Sequence, residues 1–581
     1  MIALETGGAC DFSSTELGTR VTVANAGDAD AGPFVIQVGD AQQRVPNGLA
    51  AGQTTPVWFA RAAYGSETTV IVDATRQIDE SNEDNNTFWQ MVPIPTLPPT
   101  CTPDLTGKRT ETAAPKATPL PVLSQTPRPT PTPTNTSRPR QIVSVREGQI
   151  TIPTYPYAKF AVQAWSEAFR LSYAVLDRAA YEASGPMPAA VIYRTLTMEN
   201  EYLRLTFLPE LGGRLYEVIF KPTGHRETYR NPVLKPSPWG PPEQGWWLAA
   251  GGLEWCLPVE EHGYEWGASW TAQVSRDDVG ATVTLRDTSA NDRVRAEIAV
   301  RLEAGAGCFT IRPRLENPTG APLAVKYWTN AMLAPGGENA PSANLRFVLP
   351  DAVTSVTIHS RGDDALPGYG KRMDWPVFNG QDLSRLGNWS GWLGFFEDPA
   401  VGDFVAVYDM SYDEGLVRVF PASVARGVKS FGLGWSEPIP ATNWTDDGSS
   451  YVELHGGPAP TFDDSVTLPA EGTLQWTETW YPVAGLGGLR YANEVAALNL
   501  AAGNGEVQMA VAVARPLRGD AVLLLNGQER WRASVYLVPG QPMKSSVPLG
   551  AEVPQTGRLT LLLEGPGGEI AAEYGADFNL K

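Results

Sequence analysis

Two glutamates, an arginine and a histidine carry the chemical signals of this sequence. Glu453 stands in Tyr451-Val452-Glu453-Leu454 and Glu254 in Gly251-Gly252-Leu253-Glu254-Trp255. A carboxylate acts as a general acid or base once its surroundings tune its pKa. The plainer alternatives are a solvent-facing residue on an alternating strand for Glu453 and a hydrogen-bonded structural carboxylate for Glu254. Arg214 follows Gly212-Gly213, where the absence of side chains lets the backbone approach closely and aims the guanidinium fork at sugar hydroxyls or a carboxylate. An ion pair with a neighbour such as Glu210 would use the fork equally well. Histidine is scarce, with His225, His262, His359 and His455 making up all 4. Tryptophan crowds one region, with Trp239, Trp246, Trp247, Trp255, Trp266 and Trp270 close together. Indole faces stack on the C–H faces of a pyranose while their N–H groups reach polar partners. Most of these rings belong in a core; Trp247 and Trp255, which flank the double glycine, are the pair expected at a cleft.

Other chemistries find little support. No metal-ligand spacing, phosphate-cradling glycine loop or nucleophile elbow stands out, so neither a metal nor a cofactor is expected. Arg426-Gly427-Val428-Lys429 reads as a turn rather than an anion site. A formal net charge of -19 argues against nucleic acid and anionic lipid as partners, since both select clustered positive charge. No apolar run reaches the roughly eighteen residues of a membrane span. The start, Met1-Ile2-Ala3-Leu4-Glu5-Thr6, has neither a basic nor an apolar leader, and the chain is expected to be truncated there. Oligomeric state is not legible.

These residues need elements to position them, and the chain supplies strands. Its 581 residues exceed one hydrophobic core and leave room for about three to four domains. The 57 Gly and 50 Pro punctuate short alternating runs, which predicts an all-β protein. Residues 1–92, with runs such as Pro33-Phe34-Val35-Ile36-Gln37-Val38 between turn residues, predict an Ig-like β-sandwich. A Pro/Thr-rich linker over 93–141 cannot bury a core and predicts an extended spacer. A large β-rich block follows over 142–490, and a C-terminal β-sandwich over 495–581, with Asn526-Gly527 and Pro539-Gly540 as turn signals. Ala158–Ala183 could pass for a helix on alanine content alone. Cys10 and Cys101 bracket the first module, as a disulfide clasp would, or are two free thiols; Cys256 and Cys308 lie in the large block.

Motifs give two of these blocks a family. Val23-Ala24-Asn25-Ala26-Gly27, Asp30-Ala31-Gly32-Pro33-Phe34 and Ile78-Asp79-Glu80-Ser81-Asn82-Glu83-Asp84-Asn85-Asn86 resemble the bacterial cell-adhesion-related domain CARDB. That family's first strand usually starts before the point where this chain begins. The acid and amide run at 79–86 suits either a hydrogen-bonded turn or oxygen ligands for calcium. In the large block, Leu208-Pro209-Glu210-Leu211-Gly212-Gly213-Arg214-Leu215, Tyr229-Arg230-Asn231-Pro232-Val233, Gly251-Gly252-Leu253-Glu254-Trp255, Tyr327-Trp328-Thr329-Asn330 and Tyr451-Val452-Glu453-Leu454 follow in order. This is similar to the bacterial domain family often attached to tetratricopeptide repeats and assigned to the galactose-mutarotase-like superfamily.

The second resemblance implies a β-supersandwich whose concave face takes sugar, and an extended rather than helical 158–183. It implies that Glu453 accepts the proton of the anomeric hydroxyl, and that Arg214, Asn231, Glu254 and Asn330 sit in site motifs. Where the superfamily commonly places a histidine, this chain reads Tyr327-Trp328-Thr329-Asn330, a departure that counts against mutarotation and leaves His262 as the candidate acid; a surface position beside a turn is its alternative. Three functions follow: an extracellular glycoside-hydrolase-like enzyme with Glu453 and Glu254 as its acid and base, a noncatalytic glycan-binding adhesion protein, or an aldose mutarotase. A glycosidase pair would stand about 5–5.5 Å apart for retention or about 6.5–9.5 Å for inversion. Arg214, Glu254, Asn330 and Glu453 should converge on one concave face, with Trp247 or Trp255 at its edge.

Overall fold

β-Branched and aromatic residues recur at every second position between Gly, Pro and Asn breaks, and a pleated strand sends such a series to one face. The computed structural model describes residues 2–11, 16–25, 29–38, 41–51, 53–60, 67–73, 78, 87–91, 143–241, 243–259, 261–398, 400–503, 505–549 and 556–579. Two units divide the chain, Met1–Pro133 and Thr134–Lys581.

In the first unit, Ile2–Asp11, Glu16–Ala24 and Thr54–Ala60 form one antiparallel sheet, and Ala41–Val45, Phe34–Val38, Glu67–Ile71 and Thr87–Met91 a second. Val21, Val23, Phe34, Ile36, Phe59 and Val70 fill the core, giving an Ig-like sandwich. The run at 79–86, the Pro/Thr segment and Cys101 lie outside the described residues, and the expected Cys10–Cys101 bond with them.

The second unit is built on two large antiparallel sheets, one 12-stranded and one 9-stranded. Their facing side chains share one core, in which Leu253, Trp255, Ala331 and Leu454 from the first sheet meet Val283, Ile298, Ile311 and Leu416 from the second. The C-terminal sandwich adds two 4-stranded sheets. Ala497, Ala510 and Ala512 on one of them pack against Ala406, Tyr408 and Tyr481, small residues letting the two sandwiches approach closely. Within 158–183, Ala161–Ser166 pairs with Leu171–Leu176 as an antiparallel hairpin. A 3-10 turn, Ala158–Phe160, precedes the hairpin, and an α-helix, Arg178–Ala183, follows it, its first turn capped by the Asp177 carboxylate, which accepts from the Ala180 N–H at 3.0 Å.

Five neighbouring strands of the 12-stranded sheet set up the site: Leu393–Phe396, Gly427–Gly432, Val452–Gly457, Trp328–Leu333 and Gly252–Cys256. On the inner face Phe395, Val428, Leu454, Ala331 and Leu253 enter the core. The alternate positions fall on the other face, where Phe396, Lys429, His455, Asn330 and Glu254 stand opposite one another in register. The row beside it runs Gly394, Phe431, Glu453, Met332 and Gly252. Period-two alternation thus separates an apolar core from a face carrying four titratable or amide groups in consecutive strands.

Candidate functional site

Glu254 is the hub of that face. It is buried and accepts four hydrogen bonds. Oε2 takes one from Arg214 Nη2 at 3.3 Å and one from Trp247 Nε1 at 3.1 Å; Oε1 takes one from His262 Nδ1 at 2.7 Å and one from Asn330 Nδ2 at 3.3 Å. Four donors occupy the lone pairs that a carboxylate offers. Two glycines make the assembly possible. A side chain at Gly252, at φ +75°, would stand 2.4 Å from the Leu215 carbonyl oxygen, so only glycine lets the two strands approach this closely. Gly263, at φ +64°, folds the loop back until its Cβ position lies 2.3 Å from Leu257 N. That reversal returns His262 to Glu254.

His262 lies flat on Trp247, with ring centroids 3.7 Å apart and planes at 13°. Burial pushes the imidazole pKa down, but the charge and hydrogen bond of Glu254 outweigh it, with Glu453 and Glu261 adding to the pull, and the value ends above the ordinary one. An ionised carboxylate only accepts, so Nδ1 carries a proton and Nε2 is left for the cavity that His262 lines.

Glu453 is held from both sides. Asn330 Nδ2 donates to its Oε1 at 3.1 Å, the same nitrogen that reaches Glu254, and His455 Nε2 donates to its Oε2 at 2.9 Å. Burial pushes the Glu453 carboxyl up; the His455 hydrogen bond and the nearby Lys429 and His262 charges outweigh that and hold it well below the usual carboxylate range. Burial and the Lys429 charge depress the His455 imidazole, so it is neutral at pH 7 and serves through its Nε2–H. The Asn330 Oδ1 and His455 Nδ1 atoms are buried without a hydrogen-bond partner.

A cavity of about 540 Å³ opens over this face. Trp239, Trp247, Trp392, Phe431, Leu433 and Tyr451 supply an apolar wall, while Glu453, His262, Glu261, His359, His455 and Lys429 bring polar atoms. A space of this size with few convergent polar groups matches small-ligand sites in general. An aromatic wall suits a pyranose, whose C–H faces are apolar and whose hydroxyls need acceptors.

The structure therefore brings Arg214, Glu254, Asn330 and Glu453 into one hydrogen-bonded cluster, but divides their duties differently from the sequence expectation. Arg214 is spent as a brace, donating to the carbonyls of Leu211, Gly251 and Trp266 besides Glu254; it does not line the cavity and its partner is not Glu210. Glu254 accepts four hydrogen bonds and does not line the cavity, so its geometry does not favour the expected acid–base pair with Glu453. Asn231 ties loops together through the Ala249 and Trp444 carbonyls, at 2.5 and 2.6 Å. Trp255 points into the inter-sheet core and donates to the Gly213 carbonyl at 3.0 Å, whereas Trp247 lines the cavity. Alternation separates the two: Trp255 follows the face-bearing Glu254 by one residue.

Sequence reading missed Lys429, His359, Trp239 and Trp392 as lining residues. Lys429 was assigned to a turn, yet Gly427–Gly432 is a strand in mid-sheet, and Lys429 alternates with the core residue Val428. Gly427 is what misled: its Cβ position lies 2.2 Å from Trp328, so the glycine marks a close approach rather than a turn. Of the remaining histidines, His225 pairs with Glu414 at 2.6 Å, away from this cavity.

Two packed antiparallel sheets with a polar cluster on one outer face and an aromatic cavity above it define an all-β supersandwich protein. The chain matches the family of the domain of unknown function DUF5107 over residues 173–482, more than half its length, and belongs to that family. Residues 6–90 match CARDB, which bears out the resemblance of the first module. Among solved structures, a TPR-domain-containing protein from Parabacteroides distasonis is 19% identical with a TM-score of 0.48, over 59% of this chain and 55% of that one. The chain thus spans about half of that relative. A galactose mutarotase-like protein from Clostridium acetobutylicum is 11% identical with a TM-score of 0.36, over 50% of this chain and 96% of that one. A galactose mutarotase related enzyme from Lactobacillus acidophilus is 12% identical with a TM-score of 0.35, over 50% and 97%. No helix among the described residues is long and apolar enough to cross a membrane.

Proposed function

We propose that the large domain binds a sugar in the aromatic cavity and transfers protons at its anomeric centre, with Glu453 as the acceptor and His262 as the donor. One observation carries the reading: an ionised carboxylate and an imidazole of raised pKa line the same cavity, each held in place by a buried hydrogen-bond partner. Glu453 accepts the hydrogen bond, then the proton, of the anomeric hydroxyl. His262 gives its Nε2 proton to the ring oxygen as the bond from C1 to that oxygen breaks, leaving the open-chain aldehyde. Rotation about the C1–C2 bond presents the other face of the aldehyde, and reversal of both transfers closes the other anomer. The resemblance to mutarotases implies this role for Glu453, and His262 supplies the acid that the Tyr327-Trp328-Thr329-Asn330 motif lacks.

A glycosidase remains the second reading, because Glu261, unlike Glu254, also lines the cavity and would provide the second carboxylate. The CARDB module supports placing the protein at the cell surface or outside the cell. Exchange spectroscopy of anomer signals, run beside a reducing-end assay on oligosaccharides, separates the readings. Glu453→Gln should slow anomer exchange by a factor on the order of 100 while sugar still binds. Reducing-end release without anomer exchange favours the glycosidase, and binding without turnover in either assay favours a glycan-binding protein. Absence of binding to any sugar would refute the proposal.

A further inference from the structure

Resting on that reading of the cavity, we infer that its occupant is an acidic sugar, a hexuronate or a glycan bearing one, whose carboxylate is received by Lys429. The lysine sits in the second strand of the five, Gly427–Gly432, with only 3% of its surface exposed, and lines the cavity. No hydrogen bond holds its ammonium among the described residues. The nearest anion is Glu261 Oε1 at 3.8 Å, beyond hydrogen-bonding reach. Below it lies Phe462, whose ring centroid is 4.5 Å from Nζ. An aromatic face attracts a cation but accepts none of its three N–H bonds in the way an oxygen does. With no oxygen in hydrogen-bonding reach, the ammonium offers its N–H bonds to an anion entering the cavity that it lines.

The surroundings say what kind of anion. His359 and His455 both stand edge-on to Phe462, with centroids 5.2 and 5.7 Å away, so three nitrogen-bearing side chains ring one phenyl group. Burial, with the Lys429 charge acting in the same direction, holds the His359 imidazole at about 2; His455 is depressed for the same two reasons. At neutral pH both rings are uncharged, which leaves Lys429 as the one cationic side chain of the three around Phe462. One charge matches a carboxylate better than a phosphate dianion. Glu261 already mimics such a ligand, since its Oε1 lies 3.3 Å from His359 Nε2 as well as near Lys429. Its side chain keeps 31% of its surface exposed, on a loop rather than in the sheet, and can swing away when a sugar carboxylate arrives. The aromatic wall then takes the ring, Lys429 the acid, and Glu453 with His262 the anomeric centre.

Calorimetry on the full chain with D-glucose against D-glucuronate, and D-galactose against D-galacturonate, tests the assignment, with glucose 6-phosphate as the dianion. The acid member of at least one pair should bind about tenfold tighter than its neutral partner. Lys429→Met, which keeps the stem, should bring that ratio to about one, while Glu261→Gln, at a half-exposed position that the fold tolerates, should raise it. Opposite movements of one ratio cannot come from a general loss of structure. Equal binding of acid and neutral sugars by the unaltered protein, or an unchanged ratio in Lys429→Met, overturns the inference and leaves the carbohydrate reading standing. Tighter binding of the phosphate than of either uronate overturns the single-charge argument, and absence of binding by every sugar overturns both readings.

Discussion

Glu478 and Glu254 are both buried in the second unit, both face an arginine, and both accept four hydrogen bonds, yet they do different things. Glu478 receives two from Arg418, each at 2.8 Å, and one each from the indoles of Trp476 and Trp480 at 2.9 and 3.1 Å. Every donor belongs to the packed interior, and Trp476 and Trp480 are themselves part of the inter-sheet core. Glu254 also has an arginine and an indole, but its other two donors are His262 and Asn330, one lining the cavity and one reaching Glu453. A buried carboxylate–arginine pair is therefore no mark of function by itself. The difference lies in whether the remaining lone pairs are filled by rigid core groups or by groups with a second face toward a cavity.

The largest way to break this comparison is Arg418→Met. It leaves the Glu478 charge buried against two indoles and should cost about 3–5 kcal/mol, as truncating one partner of a buried pair generally does, read as a lower urea midpoint for tryptophan fluorescence. Glu254→Gln should cost less, about 2 kcal/mol, because Arg214 keeps its three carbonyl acceptors. Its distinguishing effect falls on His262: without the carboxylate, burial prevails, and the imidazole titration followed by NMR should move from above 6.5 to below it. A midpoint unmoved by Glu254→Gln would end the comparison, since Glu254 would then be as inert as Glu478.

Acid should separate the two regions more gently. His359 and His455 have folded pKa values below the unfolded 6.5, so the stability tied to their neutral forms is present above pH 6.5 and lost as pH falls toward the folded values. Glu478, depressed from 4.5 mainly by Arg418 against the opposing effect of burial, keeps its contribution until pH falls below about 4.5. His262 runs the other way, its raised value giving stability that is full below 6.5 and fades as pH rises through the folded pKa. Urea midpoints between pH 6.5 and 4.5 should therefore fall in the unaltered protein and fall less in His359→Phe, which keeps the ring packing on Phe396 and Phe462. Parallel curves for the two proteins would remove the histidines from the account.

The strands were readable from alternation, and Arg214, Glu254, Asn330 and Glu453 from ordered motifs, because period two and short signatures are local properties. What each residue does depends on partners at long range. Arg214 meets Glu254 across 40 positions and Asn330 meets Glu453 across 123, separations that no local pattern encodes. Trp247 and Trp255 looked alike beside the double glycine, and only the strand phase of Gly252–Cys256 sends Trp255 to the core. Lys429 was lost because a glycine two residues before it imitates a turn. His262 was found for its scarcity rather than its setting, since the Gly263 reversal that carries it back to Glu254 shows only in the folded backbone.

Glu453 and His262 also differ in how evolution can reach them. Glu453 sits in a ladder whose register is shared by five strands, so one residue inserted before it in Val452–Gly457 would turn it into the core and swap the face of every residue after it. That position can change only by substitution. His262 rides on a loop, where lengthening leaves the sheet untouched. Lineages that keep the same sheet can therefore exchange the proton donor by remodelling residues 257–263 while retaining the acceptor, and variation in chemistry across such proteins should concentrate in that loop.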